Sequence, residues 1–209
     1  MEPTERRLSR LAEQAKRLAT RLGKGTIEVE VRDNKLRIDA EHWAKFWSTL
    51  VHVIRNAIDH GLESSEERAS IGKSDTGKLT LSTELEEGRF IVSIFDDGRG
   101  LNWNKLRDLA TVQGLPAETE AHLISALFHE GLSTAESITE ISGRGVGLNT
   151  VKNACDEMFG CVQVKSISGQ GCEFRFVFDS RCMAPKLFKL LAEYGIDQST
   201  ITESAKLNS

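Results

Sequence analysis

Phe90-Ile91-Val92-Ser93-Ile94-Phe95-Asp96-Asp97-Gly98-Arg99-Gly100 runs an apolar strand straight into two acids and two glycines. Taken alone, Asp-Asp-Gly-Arg-Gly is an ordinary turn. It is not alone. Asn56 precedes it on an expected helix, and Gly143-Arg144-Gly145-Val146-Gly147 follows it at the entry to another. An acid at a strand end, paired glycines, an upstream Asn and a downstream glycine loop are together the parts of a site for ATP and a metal ion.

Outward from that stretch the hydrophobic period assigns the elements. Residues 4–23 read as a helix, with Leu8, Leu11, Ala12, Ala15, Leu18 and Leu22 at helical spacing and Gly23 as its stop. The period then becomes two: Ile27, Val29, Val31, Leu36 and Ile38 alternate around an Asp33-Asn34 turn, which predicts a hairpin over 26–38. Asp39 is expected to cap a long helix reaching about Asp59. A short helix over 65–71, strands over 78–86 and 89–95, helices near 103–113 and 117–128, a long loop over 129–144, a helix from Gly145 to Met158, strands over 161–167 and 172–178, and a helix over 184–194 complete the chain. Helices alternating with hairpin-joined strands predict an α/β two-layer sandwich, its sheet mixed but largely antiparallel, with helices on one face.

Composition narrows the function classes. The 209 residues carry a net charge of −4, and their 27 lysines and arginines are scattered, so the basic footprint of a nucleic-acid binder is missing. No apolar run approaches the roughly 20 residues that a bilayer span needs, and the first 21 residues are charged throughout, unlike a signal peptide. A cytoplasmic protein without membrane insertion is the expectation. Cys155, Cys161, Cys172 and Cys182 form no C-x-x-C pair, so reduced and mostly buried thiols are expected.

The chemistry-bearing residues follow from side-chain type and spacing. On the helix to Asp59, Phe46, Leu50, Val53 and Ala57 share one face, and His52, Asn56, Asp59 and His60 lie roughly opposite. A merely solvated face would show Lys, Glu and Gln. The Asn56 carbonyl is a hard oxygen suited to Mg²⁺, which takes its other oxygens from water and phosphates. His52, a turn earlier, suits a proton acceptor or a holder of the attacking group. Asp96 needs a donor, which the exocyclic amine of adenine supplies, while Gly98 and Gly100 let the backbone approach the base. Gly143, Gly145 and Gly147 at a helix entry suit phosphate, with Arg144, Ser133, Thr134 and Lys105 as further donors. The bland readings are a flexible connector for the glycines and solvated surface for Lys105.

His52-x-x-x-Asn56-x-x-Asp59-His60-Gly61, Asp96 to Gly100, Leu127 to Thr134 and Ser142-Gly143-Arg144-Gly145-Val146-Gly147-Leu148 resemble, in order, the sequence boxes of the histidine kinase ATP-binding domain. The wording of Arg55 to Glu63 and of Ser142 to Gly147 is similar to the chemotaxis kinases in particular. The likeness runs from about Leu11 to Phe178. It implies the Bergerat-type fold shared with DNA gyrase, mismatch-repair ATPases and heat-shock chaperones, in which Asp96 reads adenine, Asn56 holds Mg²⁺ and 129–144 is the lid. It also places Asp59, His60, Val146, Leu148 and Cys172 at the nucleotide. His52 stands where gyrase-like members carry a catalytic glutamate, which favours phosphotransfer over hydrolysis. The chain departs from the chemotaxis pattern at Glu130 and Leu132, where Pro and Phe are usual, and at Cys172, where a Thr is usual.

The resemblance divides the chain into a helix over 1–23, part of the domain or the end of a dimerisation stalk, a catalytic domain over 24–180, and a helix and polar tail over 181–209. It implies a histidine-containing phosphotransfer domain or protein as acceptor, a response regulator downstream, and a homodimer formed through residues outside the ATP fold. Beside the kinase stand two alternatives: a nucleotide-binding regulatory module without kinase activity, and an ATPase switch.

Overall fold

Five strands form the main sheet in the order β2-β4-β5-β7-β6, from β2 (Glu28–Arg32), β4 (Lys78–Glu86), β5 (Arg89–Asp96), β6 (Gly160–Ile167) and β7 (Gly171–Phe178). The structure, a computed structural model, describes residues 1–130, 147–179 and 182. All neighbouring pairs in the sheet are antiparallel except β2 with β4. Around the sheet lie α1 (Thr4–Arg21), α2 (Ala44–Asn56), α3 (Ser65–Ser70), α4 (Trp103–Val112), α5 (Glu120–Leu127) and α6 (Leu148–Asp156). The architecture is the expected α/β sandwich with a mixed, largely antiparallel sheet.

The hairpin predicted over 26–38 does not form. β2 pairs in parallel with β4, from Glu28 opposite Lys78 to Arg32 opposite Ser82, while β3 (Arg37–Ile38) pairs with β1 (Glu2–Pro3). Alternation marks a half-buried strand but does not name its partner, and a parallel partner must come from beyond a crossover, here α2 and α3. The Asp33-Asn34 turn is real but serves another end. Its side chains accept from the amides of Lys35 and Leu36 at 2.8 and 3.2 Å, and Thr83 Oγ1 donates to this pair.

Strand period two sets what faces the core. Phe90, Val92 and Ile94 of β5 enter the hydrophobic core beside Phe174, Phe176 and Phe178 of β7 and Leu79 and Leu81 of β4. α2 lays Trp43 and Phe46 on this row, with ring centroids 5.1 Å apart for Trp43–Phe90 and 4.8 Å for Trp43–Phe178 and Phe46–Phe178, all near edge-to-face. Such pairs add about 0.5–1.5 kcal/mol each beyond the area they bury. α1 contributes Leu8, Ala15 and Ala19, all fully buried. The next residue of the β5 row after Phe90, Val92 and Ile94 is Asp96, and the sheet therefore aims a carboxylate, at its end, where hydrophobic side chains point.

Candidate functional site

Asp96 is 3% exposed, flanked in register by Leu79 of β4 and Cys172 of β7. Its Oδ1 accepts from the Gly98 amide at 3.0 Å. Burial pushes its pKa up to about 7; the Gly98 amide opposes that, Asp97 and Glu63 add to it, and Lys73 opposes it. A carboxylate this near neutrality in the free protein gains from any buried donor brought to it.

Glycines wall this carboxylate. A Cβ on Gly61 would lie 2.9 Å from Asp96 Oδ1, and one on Gly98 would overlap the Gly61 carbonyl and sit 2.8 Å from the same oxygen. Gly171, at φ +121°, lies against the Asp96 carbonyl so closely that no side chain fits. Gly61 arrives there because α2 ends in a π-helical turn over Ala57–Gly61, with the Leu62 amide donating to the Ala57 carbonyl at 2.8 Å. The Arg99 amide then donates to the Gly61 carbonyl at 2.9 Å, stitching the Asp-Gly turn to the end of the helix.

On α2 and its π-helical end, His52, Asn56 and Asp59 are half-buried and His60 is exposed, opposite the buried Phe46, Leu50, Val53 and Ala57, as the helical period predicted. His60 Nε2 and Asp59 Oδ2 are 4.0 Å apart, an ion pair only when the imidazole is protonated. Burial, then the nearby Arg55 charge, holds the His52 pKa below the usual imidazole value, which favours the neutral ring able to accept a proton. Among the described residues no cluster of His, Cys, Asp or Glu forms a metal cage. A half-exposed amide oxygen fits Mg²⁺, which binds through few protein oxygens and completes its shell from phosphate and water.

Cys172 is buried, and its pKa is pushed up to about 12 by burial and by the charge of Asp96. It is an inert thiol at neutral pH. Gly100 lies against the Ile167 carbonyl, and Ser166 accepts from the Leu101 amide at 2.7 Å, so the second glycine serves the join between the turn and β6. Lys105 occupies the first turn of α4, its amide capped by Asn102 at 2.9 Å. Gly147 and Leu148 open α6. Ser133, Thr134, Gly143, Arg144, Gly145 and Val146 lie outside the described residues, as do Leu132 and most of the expected lid. Glu130, one of the departures, accepts from Asn149 of α6 at 2.9 Å.

A charged group beneath the Asp-Gly turn has no signature in the sequence. Arg68, 1% exposed, grips both oxygens of Asp97 at 3.1 and 2.7 Å and reaches Glu63 at 3.2 Å; Lys73 bonds Glu63 at 2.9 Å and the carbonyls of Asp97 and Gly98 at 2.8 Å each. Glu63 and Asp97 stand inside the motifs, but Arg68 and Lys73 belong to none, and charges in a short helix and the loop after it carry no sign of burial in the sequence. Only the fold shows that stretch turning back under the Asp-Gly turn. Of the thiols, Cys155, Cys172 and Cys182 are buried and Cys161 is exposed, and none of the four is in a disulfide. No helix among the described residues is long and apolar enough to cross a membrane.

Residues 47–181 match the family model of histidine kinase-, DNA gyrase B- and HSP90-like ATPases. The chemotaxis protein CheA of Klebsiella aerogenes is 35% identical over 180 residues, 85% of this chain and 28% of that protein. CheA of Bacillus subtilis is 35% identical over 100% of this chain and 32% of its own length. The chain thus spans about a third or less of the curated relatives it matches. Among solved structures, the nucleotide-free catalytic domain of the histidine kinase ThkA aligns with a TM-score of 0.56 at 16% identity, covering 86% of this chain and 97% of that one. Full-length ShkA in complex with AMPPNP aligns at 0.53 and 20% identity, covering 84% of this chain and 29% of that one. At such identities the structures speak for the fold alone.

Proposed function

Because the chain belongs to the family of histidine kinase-, DNA gyrase B- and HSP90-like ATPases, with a CheA-like ATP-binding domain, we propose that it takes ATP between Asp96 and Asn56 and passes the γ-phosphoryl group to a histidine on a separate phosphotransfer domain or protein. A cytoplasmic two-component pathway with a response regulator downstream is the setting this reading gives it. A homodimer would form through residues outside the ATP fold. In the same reading residues 1–23, whose Leu8, Ala15 and Ala19 are buried in the core, belong with the ATP-binding domain.

The observation that carries the reading is Asp96, a carboxylate at the end of a hydrophobic row with glycines against it. A flat heteroaromatic base with an exocyclic amine suits such an acid: its N–H would meet the carboxylate, and its ring would suit apolar side chains beside it. Donation from the base favours the ionised form of Asp96, and that charged hydrogen bond is worth about 1.5–3 kcal/mol. The ring of His52 sits one helical turn before Asn56, placed to accept the proton of the attacking imidazole or to hold it in line. Mg²⁺, held by Asn56, would neutralise charge on the phosphates. The backbone at Gly147 and Leu148, at the entry of α6, offers amides toward the phosphate end.

The test is transfer of radiolabelled phosphate from ATP to a panel of histidine-containing phosphotransfer domains, with His52→Gln and Asn56→Ala beside the wild type. Label should reach an acid-labile phosphohistidine, His52→Gln should lose transfer while keeping nucleotide affinity, and Asn56→Ala should lose the Mg²⁺-dependent share of that affinity. Binding without transfer to any acceptor would favour a regulatory nucleotide module, a reading that Cys172 opposite Asp96 supports. Repeated phosphate release with no acceptor present would favour an ATPase switch.

A further inference from the structure

Asp96 and Asp97 are consecutive, so the strand sends their side chains to opposite sides. Asp97 is held on three sides: Oδ1 by the Lys78 amide at 2.8 Å and Arg68 Nη1 at 3.1 Å, Oδ2 by Arg68 Nη2 at 2.7 Å, and its amide by the Lys78 carbonyl at 3.1 Å. Arg68 is itself fixed, its Nε donating to the Ser74 carbonyl at 2.5 Å. The decisive detail is the peptide unit between Asp97 and Gly98. Its carbonyl accepts from Lys73 Nζ at 2.8 Å, and its N–H is the donor to Asp96 Oδ1 at 3.0 Å. A peptide plane is rigid, so a cation on its oxygen fixes the direction of its hydrogen and strengthens the bond that the hydrogen makes.

We infer that Glu63, Arg68, Lys73 and Asp97 form a four-charge clamp that orients Asp96 toward the base and sets its charge state, with Arg68 and Lys73 as positioning residues; the role at the base rests on the nucleotide reading above. The two cations and two carboxylates sum to zero, which is why so buried a guanidinium is tolerated. The balance also bears on Asp96. Asp97 and Glu63 oppose its ionisation and Lys73 favours it, while Cys172 faces it as a neutral thiol across the strand register. A clamp that only fastened α3 and its following loop to the sheet would hold equally well with another arrangement of charge. Removing a cation should strand Asp96 in its neutral form; removing an anion should release it.

The test uses carbon-13 carboxyl NMR to titrate Asp96 in the nucleotide-free protein, alongside calorimetric ATP affinity at several pH values. Lys73→Met should raise the Asp96 midpoint and weaken ATP binding at neutral pH about tenfold, and Lys73→Arg should restore both. Glu63→Gln, nearly isosteric, should move the midpoint the other way. If Lys73→Met fails to fold, the downward shift in Glu63→Gln decides alone. Variants that unfold earlier but leave the midpoint in place would reduce the clamp to a structural tie and overturn the proposal. If the wild type bound no ATP, the nucleotide reading would fall, yet the NMR midpoints would still decide whether the clamp sets the charge on Asp96.

Discussion

An added Cβ at Gly98 would overlap the Gly61 carbonyl and press on Asp96, whereas at Gly147, at the head of α6, it would meet no described atom within 4 Å. The two glycines belong to motifs of similar appearance and would touch opposite ends of one nucleotide. At the Asp96 end the backbone is already closed around the acid, and little is left for a ligand to organise. At the α2 and α6 end, His52, Asn56 and Gly147 are half-exposed, so in the proposed reading ordering there would come with the phosphates and their cation. In the proposed reading, a preformed base site and a ligand-completed phosphate site would separate affinity from chemistry: the first end would select the nucleotide, and the second would change as it reacts.

Alanine at the two glycines is the harshest way to break this contrast. Gly98→Ala should destabilise the fold by about 3 kcal/mol or more and abolish nucleotide binding, because the atoms in its way are backbone and the buried carboxylate rather than a flexible side chain. Gly147→Ala should leave stability within about 0.5 kcal/mol, keep adenosine affinity and weaken only ATP. Thermal unfolding and calorimetry with adenosine and ATP read both. Equal losses in the two variants would mean that the ends are not built differently.

Acidity offers a smaller perturbation confined to the closed end. The Asp96 pKa is raised in the folded protein, from an ordinary 3.8 to about 7, so the folded state holds this proton more tightly than the unfolded chain does. Its contribution to stability is therefore greatest at acid pH and is lost as pH climbs through that window, by up to a few kcal/mol. ATP binding should run the opposite way, strengthening as pH rises through about 7 and the acid ionises. Asp96→Asn should flatten both profiles, making the nucleotide-free protein relatively more stable in alkali while weakening ATP binding by ten- to a hundred-fold. A pH-independent affinity in the wild type would place the base elsewhere.

The same contrast marks what could be read from sequence. The strand 90–95, the acid at its end and the polar face of α2 were legible, because period two and period 3.6 say which side chains share a face. Those rules name faces, not partners, so the alternation within 26–38 predicts a hairpin although its strands pair with β4 and β1. The grip of Arg68 and Lys73 on the Asp-Gly turn was illegible for a related reason. Arg68 is 29 positions from Asp97, and a charge becomes a buried clamp only when the chain between them folds back. The π-helical turn that delivers Gly61 left no mark either, since it differs from the α-helix before it in hydrogen-bond register and not in residue type.

Cys172 permits the finest adjustment of the closed end. It sits opposite Asp96 on β7, in contact range of Ser166, with a thiol that donates weakly and stays protonated. Cys172→Thr exchanges that thiol for a hydroxyl and adds a methyl group, on a strand where β-branched residues fit well. The hydroxyl can donate to the Asp96 carboxylate, lowering the cost of its ionisation and presenting a better-ordered acceptor to the base. ATP affinity should rise several-fold, about 1 kcal/mol at most, and the pH midpoint of binding should move down. Cys172→Val supplies the methyl groups without the hydroxyl and should give neither change. If Val and Thr behaved alike, packing rather than hydrogen bonding would govern this position, and Asp96 would owe its behaviour to the clamp and to the Gly98 amide alone.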